Sequence, residues 1–446
     1  MFRPSDASDA RPSHTDARPA VLESLELRLF WSTTVNDRYF GEQYALTAIN
    51  ADDAWDVSTG SAAVVVANND TGIDLAHDDL YLNVWVNQGE IPAAMKKKLK
   101  DTDGDGILSM YDLNASANKG VVTDGNRNGR IDGVDLLQRF NASTATGGFE
   151  DNTDADASGY RDDIVGWDFA EDDNDPTDRD GHGTATAGVI GAIGNNGKGV
   201  AGVNWKVSIL SAKIFDDGGD AAPDSVIAKA IRYSAKLGVR VSNNSWGGTA
   251  GSNGDVLHQA ISYAGSRGQV FVTSAGNDGV NNDTSRFRNF PSSYNLANII
   301  SVAATGRSGR LANYSNFGSS TVDVAAPGSG VYSTGLGNTY DELSGTSFAS
   351  PYVAGSVALL LSTTKSLSVA QIKARLIDGA DETTSLYNSN ASHGLFQTDN
   401  VLTHTAGATV DETTVPVNGA RPGYRRPVVY IFSLSSAQSS DPIFFG

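Results

Sequence analysis

The chain contains no cysteine, which excludes disulfides, zinc–thiolate sites and cysteine nucleophiles together. It also lacks any apolar run of about 18 residues, so the sequence predicts no transmembrane helix. Positive charge is scarce: 33 Lys and Arg stand against 52 Asp and Glu, a formal net charge of −19. This balance argues against nucleic acid and anionic membranes as partners. What remains is a chain of 446 residues with 48 glycines, long enough for a large core in one or two domains.

One serine lies between a glycine turn and an apolar run. Gly345 and Thr346 precede Ser347, and Pro351 opens an apolar segment that continues to Leu361. Because proline is tolerated in the first turn of a helix, we expect Pro351 there, with Ser347 near the helix N-terminus. Free backbone N–H groups at such an end favour a developing oxyanion. The alternative is an ordinary capping serine in a Ser/Gly-rich loop.

Two further polar residues lie at turns between apolar elements. Residues 64–67 predict a buried strand, and Asp70 follows where Gly72 breaks it. His182 lies between two glycines and ahead of an apolar helix. A serine hydroxyl needs an adjacent base at neutral pH, and an imidazole titrates in that range. Ser347, His182 and Asp70 are therefore candidates for nucleophile, base and orienting carboxylate.

The blocks Asp70-Thr71-Gly72, His182-Gly183-Thr184 and Gly345-Thr346-Ser347 resemble, in that order, the signature blocks of the subtilisin-like (subtilase) serine peptidases. Asn277, in FVTSAGNDG, matches the oxyanion asparagine of that family. The resemblance implies an α/β fold with a doubly wound, mostly parallel sheet flanked by helices. It also implies hydrolysis of peptide bonds in protein or peptide substrates through an acyl-enzyme.

The segment NNSWGG resembles the strand that lines the primary specificity pocket of the same family. The substrate-binding residues that this resemblance implies are Ser245, Trp246, Gly247 and Gly248. Asn68 and Asn69 depart from the family pattern, which has apolar residues just before the catalytic aspartate. Two buried amides need hydrogen-bond partners, and we expect them to perturb Asp70.

An acidic region separates Asp70 from His182, and it contains two copies of a calcium-loop pattern. Between residues 101 and 180 there are 20 acidic and 6 basic residues, a density that calls for a counter-ion. The first loop offers side chains, and the carbonyl of Ile107, from Asp101, Asp103, Asp105, Ile107, Ser109 and Asp112. The second offers Asp124, Asn126, Asn128, the carbonyl of Arg130, Asp132 and Asp135. The final aspartate followed by leucine is similar to dockerin repeats, which suggests a possible protein partner.

A third acidic run, DNTDADASGYRDD, has less regular spacing. Its candidate ligands for Ca²⁺ are Asp154, Asp156, Ser158 and Asp163. For the two calcium-loop repeats, the alternative is a solvated acidic loop without a cation.

The sequence predicts four regions. Residues 1–43 form an N-terminal tail or leader, residues 44–405 the peptidase domain, and residues 406–446 a C-terminal tail. A calcium-binding insertion at residues 86–165 interrupts the domain. We expect the protein to be secreted or at the cell surface.

Two rival functions remain open. One is a non-catalytic, calcium-dependent binding or adhesion protein on a subtilase scaffold. The other is a sedolisin-type acid peptidase, which has a similar serine block but a glutamate in place of His182.

Overall fold

A computed structural model describes residues 35–249, 251–252, 254–284, 286, 288–403 and 433–434. Its strands are β1 (Gly60–Asp70), β2 (Phe140–Asn141), β3 (Thr146–Gly147), β4 (Gly166–Asp168), β5 (Lys206–Lys213), β6 (Val241–Asn244), β7 (Gly248–Thr249), β8 (Val270–Ser274), β9 (Ile299–Thr305), β10 (Val324–Pro327), β11 (Ser329–Gly335), β12 (Thr339–Ser344), β13 (Asp381–Glu382), β14 (Gly394–Leu395) and β15 (Ser433–Leu434). Its α-helices are α1 (Tyr44–Ala48), α2 (Ala51–Ala54), α3 (Ala93–Lys96), α4 (Met110–Asn114), α5 (Gly133–Leu136), α6 (His182–Gly191), α7 (Asp224–Lys236), α8 (Val256–Ser266), α9 (Thr346–Thr363), α10 (Val369–Asp378) and α11 (Thr398–Thr403). Short 3-10 helices lie at Phe40–Glu42, Tyr81–Asn83, Ser116–Asn118 and Leu336–Asn338.

A nine-stranded sheet organises the described residues, in the order β13-β14-β10-β9-β8-β6-β1-β5-β4. Every pairing in it is parallel except β13 with β14. Helices cover both faces, as parallel sheets require, because crossover connections carry the helices to the faces. The doubly wound α/β prediction is confirmed.

The two faces of the sheet bury separate hydrophobic clusters. On β1, Val64 and Val66 belong to the cluster shared with α6 and α9, whereas Ala67 belongs to the cluster shared with α7 and α8. This division follows from the alternation of side chains along a strand. Since β1 is the third strand from one edge, its carboxyl end and Asp70 lie inside the molecule, with Asp70 1% exposed.

Residues 86–165 pack against the main domain. Met95, Leu113, Leu136 and Phe149 are buried in the same hydrophobic cluster as the residues of α6 and α9. The two calcium-loop repeats each end in a short helix, α4 and α5, and the apolar residues of those helices face this cluster. The region therefore adds to the hydrophobic core of the main domain rather than folding around a core of its own.

The expectation for Pro351 was wrong in one respect. The helix α9 begins at Thr346, so Pro351 is its sixth residue and lies beyond the first turn. Proline there cannot donate the hydrogen bond that the carbonyl of Ser347 would accept in a regular helix. That carbonyl instead accepts a hydrogen bond of 2.7 Å from the hydroxyl of Ser245, which makes the irregularity tolerable.

The predicted tails fall mostly outside the described residues, which begin at residue 35 and include only 433–434 of the C-terminal segment. The short strand β15 in that segment pairs in parallel with β7. Within the part of the chain that the structure describes, no helix has the length and apolar character needed to cross a membrane.

Candidate active site

Asp70 and His182 form a buried pair at the carboxyl edge of the sheet. Asp70 is the last residue of β1, and His182 is the first residue of α6. Gly181 precedes the helix with a φ of 110°, a left-handed conformation that favours glycine and turns the chain into α6. The Nδ1 atom of His182 lies 2.7 Å from Oδ1 of Asp70, and the side chains are 4% and 1% exposed. A bond to Nδ1 leaves Nε2 as the ring nitrogen that can serve as a base.

The environment of His182 acts on its pKa in two directions. Burial lowers the pKa because it disfavours the charged imidazolium, while the charge of Asp70 and the hydrogen bond to it raise the pKa. The balance leaves the pKa of His182 above its usual value of 6.5. The pKa of His77, which is fully buried, is instead lowered, because burial outweighs its hydrogen bond to the carbonyl of Thr339 and the charges of the nearby aspartates. The two histidines are thus in different electrostatic surroundings.

Ser347 is the second residue of α9 and is 6% exposed. Its hydroxyl donates to the carbonyl of Ser245 at 3.2 Å. The next side chain, Phe348, places its ring centroid 5.4 Å from that of His182, so the start of α9 lies beside the imidazole. The structure therefore brings the two predicted halves of the triad to the same edge of the sheet.

Asn277 follows β8 and contacts the residue before Ser347. Its Oδ1 accepts from the backbone N–H of Thr346 at 2.8 Å, and the Thr346 hydroxyl lies 3.1 Å from the same atom. The Thr346 hydroxyl in turn accepts from the N–H of Gly276 at 2.8 Å. Because Oδ1 is held by these donors, the orientation of the amide is fixed, and Nδ2 is the group that can donate elsewhere.

The predicted substrate-binding segment follows β6. The hydroxyl of Ser245 donates to the carbonyl of Ser347 in α9. The backbone N–H of Gly248 donates to the carbonyl of Phe290 at 2.8 Å, and its C=O accepts from the N–H of Phe290 at 3.0 Å. The indole of Trp246 is 3% exposed and packs edge to face on Phe271 with ring centroids 6.3 Å apart. Trp246 therefore contributes a buried support for this segment through its side chain.

The two amides before Asp70 point to opposite faces of the sheet, as neighbouring strand residues do. The Nδ2 of Asn68 contacts Thr186 on α6 at 3.1 Å, and Thr186 also contacts Oδ2 of Asp70 at 3.1 Å. The Nδ2 of Asn69 instead donates to Asn244 on β6 at 2.6 Å. The sequence reasoning did not identify Thr186. Its position four residues after His182, one helical turn along α6, is the signal that points to it.

The three acidic loops share one backbone conformation. In each loop the first aspartate accepts a hydrogen bond at 2.9–3.1 Å from the N–H of a glycine five residues later. These glycines, Gly106, Gly129 and Gly159, have φ values of 90°, 91° and 97°. The third run, whose spacing looked less regular, therefore has the same turn as the two predicted repeats.

Carboxylates converge in the first and third loops. The ligand atoms of Asp101, Asp103 and Asp112 lie within 4.8 Å of one another. So do those of Asp156, Asp163 and Glu90, a residue that the sequence reasoning missed because it lies 64 positions before Asp154. Burial raises the pKa of Asp163 to about 8 and also raises the pKa of Glu90, although Asp163 accepts from Tyr233 at 2.7 Å. The chemistry of these oxygen donors fits a hard divalent cation.

The second loop differs. The side-chain amides of Asn126 and Asn128 donate to Asp132 at 3.0 and 2.6 Å, and Asp135 accepts backbone N–H groups of its own loop. Arg130 reaches out of the loop to form an ion pair with Asp78, and its guanidinium lies 4.2 Å from the ring centroid of Tyr81. Among the described residues, no cluster of three acidic ligand atoms includes this loop. Its charges are satisfied mainly by donors in the protein.

A mostly parallel sheet with an aspartate, a histidine and a serine at its carboxyl edge is the arrangement expected of a serine peptidase. Residues 61–408 match the model of the subtilase family (peptidase S8), and the chain belongs to that family. It is a serine-type endopeptidase.

The chain is also similar to individual serine proteinases and to a solved protease structure. The chain is 42% identical over 219 residues to thermitase from Thermoactinomyces vulgaris, covering 49% of this chain and 74% of the relative. It is 33% identical over 330 residues to a thermophilic serine proteinase from Bacillus sp. strain AK1, covering 74% and 60%. A solved structure of proteases from Pseudoalteromonas arctica PAMC 21717 matches with a TM-score of 0.55 at 27% identity, covering 83% of this chain and 98% of that one.

Proposed function

We propose that the protein hydrolyses peptide bonds with Ser347 as nucleophile, His182 as general base and Asp70 as the carboxylate that orients it. The single observation that carries the proposal is the buried bond of 2.7 Å between Asp70 and His182, at the edge of the sheet where α9 begins. Asp70 holds the proton on Nδ1 and stabilises the imidazolium once His182 has taken the proton of Ser347. The same imidazolium then donates a proton to the leaving amine, and water releases the acyl group.

In the resting arrangement the hydroxyl of Ser347 faces the carbonyl of Ser245. In the proposed mechanism, Oγ of Ser347 passes its proton to Nε2 of His182 as it attacks the carbonyl carbon of the substrate. The Nδ2 of Asn277 and the N–H of Ser347 are then the donors for the oxyanion, because the contact with Thr346 already orients the amide.

The test is a comparison of wild type and Ser347→Ala on casein. We expect the variant to lose activity by roughly 10⁴-fold or more, the scale seen when a triad member is removed from related enzymes. A variant that keeps wild-type turnover would exclude Ser347 as the nucleophile. It would leave the binding or adhesion function on this scaffold as the better account.

We further propose that Ca²⁺ stabilises the region of residues 86–165. Asp101, Asp103 and Asp112 would hold one ion, and Glu90, Asp156 and Asp163 a second. For the cluster of Glu90, Asp156 and Asp163, the support is that converging carboxylates in a partly buried site are costly unless a proton or cation neutralises them. For the first loop, the support is the convergence of its three carboxylates together with the calcium-loop spacing. Calcium loops bind with dissociation constants from about 10⁻⁹ M to about 10⁻³ M, a range that is compatible with the secreted or cell-surface location that the sequence predicts.

We keep the division into four regions, and the structure bears on how the dockerin-like repeats of residues 86–165 would meet a protein partner. Leu113 and Leu136 of the dockerin-like repeats are buried against the main domain. A protein partner of these repeats would therefore meet the exposed acidic loops rather than the apolar faces of their helices.

A further inference from the structure

A buried chain of polar side chains connects Asp70 to the start of α9. It consists of Thr186, Asn68, Asn243, Ser245 and Ser350, all at most 2% exposed. These residues come from β1, α6, the end of β6 with the segment after it, and α9. Each link is a hydrogen bond, so the chain can be followed atom by atom.

One arm of the chain leads to Asp70. Asn243 Nδ2 donates to Asn68 Oδ1 at 2.9 Å, and Asn68 Nδ2 lies 3.1 Å from the hydroxyl oxygen of Thr186. The Thr186 hydroxyl lies 3.1 Å from Asp70 Oδ2 and 3.1 Å from the carbonyl of Gly183. A hydroxyl donates only one hydrogen bond, and an ionised carboxylate is the stronger acceptor. The donors along this arm therefore all point toward Asp70.

The other arm leads to Ser347. The second N–H of the Asn243 amide lies 3.1 Å from the hydroxyl oxygen of Ser245, and that hydroxyl donates to the carbonyl of Ser347 at 2.7 Å. Ser350 Oγ donates to Asn243 Oδ1 at 3.1 Å, which fixes the amide from its other side. The carbonyl of Ser347 is available for this bond because Pro351 has no N–H to donate to it. The Asn243 amide thus joins both arms.

The Oδ1 atom of Asp70 is occupied by Nδ1 of His182 and by the N–H of Thr71 at 2.8 Å. Thr186 is the side chain that meets the second oxygen, Oδ2. With both oxygens held, the plane of the carboxylate is fixed relative to the imidazole. A donor on Oδ2 also spreads the negative charge away from the oxygen that faces His182.

We propose that Asn68 and Thr186 are positioning residues of the peptidase, which hold the carboxylate of Asp70 in a fixed orientation. Through Asn243 they also fix the position of this carboxylate relative to the start of α9. This inference rests on the proposed triad. It assigns a role to Asn68, one of the two amides that depart from the family's apolar pattern before Asp70, and to Thr186 on α6. Loss of the donor to Oδ2 concentrates negative charge on the oxygen that faces His182, and this stabilises the protonated form of His182. It also leaves the carboxylate less fixed, so that the imidazole ring is oriented less precisely.

The test uses Thr186→Val, which has the same shape but no hydroxyl, and Thr186→Ser, which restores the hydroxyl. We expect Thr186→Val to lower kcat about 10-fold with little change in KM, and to move the acidic limb of kcat/KM to higher pH. Thr186→Ser should recover most of the loss. Activity is expressed per active site by burst titration, so that a misfolded fraction does not contribute.

Asn69 provides the matched control, because it is the neighbouring buried amide and bonds on the opposite face of the sheet. We expect Asn68→Val to behave as Thr186→Val does, while Asn69→Val alters the melting temperature and leaves kcat and the pH profile unchanged. If Asn68→Val and Thr186→Val match Asn69→Val in both readouts, the positioning role is wrong. The proposed triad is judged separately, by Ser347→Ala in the same assay.

Discussion

The carboxyl edge of the sheet and the acidic loops of residues 101–163 both gather carboxylates, but they hold them differently. At the sheet edge, Asp70 is held by donors from its own strand end and from α6. In the loops, the first aspartate of each turn is held by an N–H five residues along the same loop. The first arrangement is fixed by the fold without help. The second brings negative charges together, and we propose that a counter-ion neutralises them.

The comparison teaches that burial alone does not assign a role to a carboxylate. Asp70 and Asp163 are both almost fully buried. Asp70 has a histidine partner that becomes positive during the reaction, whereas Asp163 has a tyrosine hydroxyl, an amide and two further carboxylates around it. The first environment suits general base catalysis, and the second suits a cation.

The substitution with the largest expected effect on kcat, and therefore the sharpest test of the comparison, is Asp70→Asn. Asp70→Asn removes the charge but keeps the shape, so His182 adopts the tautomer that cannot accept the proton of Ser347. We expect kcat to fall by roughly 10⁴-fold. Asp163→Asn, in the acidic region, should leave kcat per active site within about 2-fold, because it lies outside the reacting groups. Equal losses in the two variants would show that the regions are not functionally distinct.

The second-largest expected effect is the loss of a hydrogen-bond donor to the oxyanion. Asn277→Ala removes a donor whose orientation is set by Thr346. We expect kcat to fall by about 10²–10³-fold with KM little changed, since the donor acts mainly in the transition state. Steady-state kinetics on a chromogenic peptide measure both constants. A rise in KM at constant kcat would instead place Asn277 in ground-state substrate binding.

A smaller effect follows from the pKa of His182, which is raised above 6.5. The base is active only when neutral, so kcat/KM should increase with pH through this raised pKa and fall about 10-fold per pH unit below it. Titration of kcat/KM from pH 5 to 9 checks this. An optimum of kcat/KM at acidic pH would contradict the assignment of His182 as the base and would favour the sedolisin-type hypothesis.

The smallest effect concerns stability in the acidic region. Excess EGTA should lower the melting temperature by roughly 3 °C or more, because removal of a ligand bound only to the folded state destabilises it. Glu90→Gln should reduce this EGTA-dependent shift, while Glu171→Gln, at an exposed position outside the cluster, should not. Calorimetry with and without calcium measures the difference. A melting curve unchanged by EGTA would remove the calcium proposal.

Much of this comparison could be predicted from local sequence. The blocks around Asp70, His182 and Ser347 resemble those of the subtilases, and that resemblance implied the parallel sheet. The turns and apolar segments next to these residues could be predicted because they are local properties. Glu90 could not be found this way, since its partners lie 66 and 73 positions further along the chain. Thr186 was not identified from the sequence, and for Asn68 the sequence indicated a buried amide near Asp70 but not its partners. Their bonds depend on how α6 packs on β1, which no local pattern specifies.

Labelling with a serine-directed fluorophosphonate, followed by peptide mass spectrometry, tests the central claim most directly. Wild-type protein should carry a single adduct on Ser347. Asp70→Asn should be labelled far more slowly, and Asp163→Asn at the wild-type rate. An active preparation that carries no adduct on Ser347, or carries it on another serine, would contradict the account.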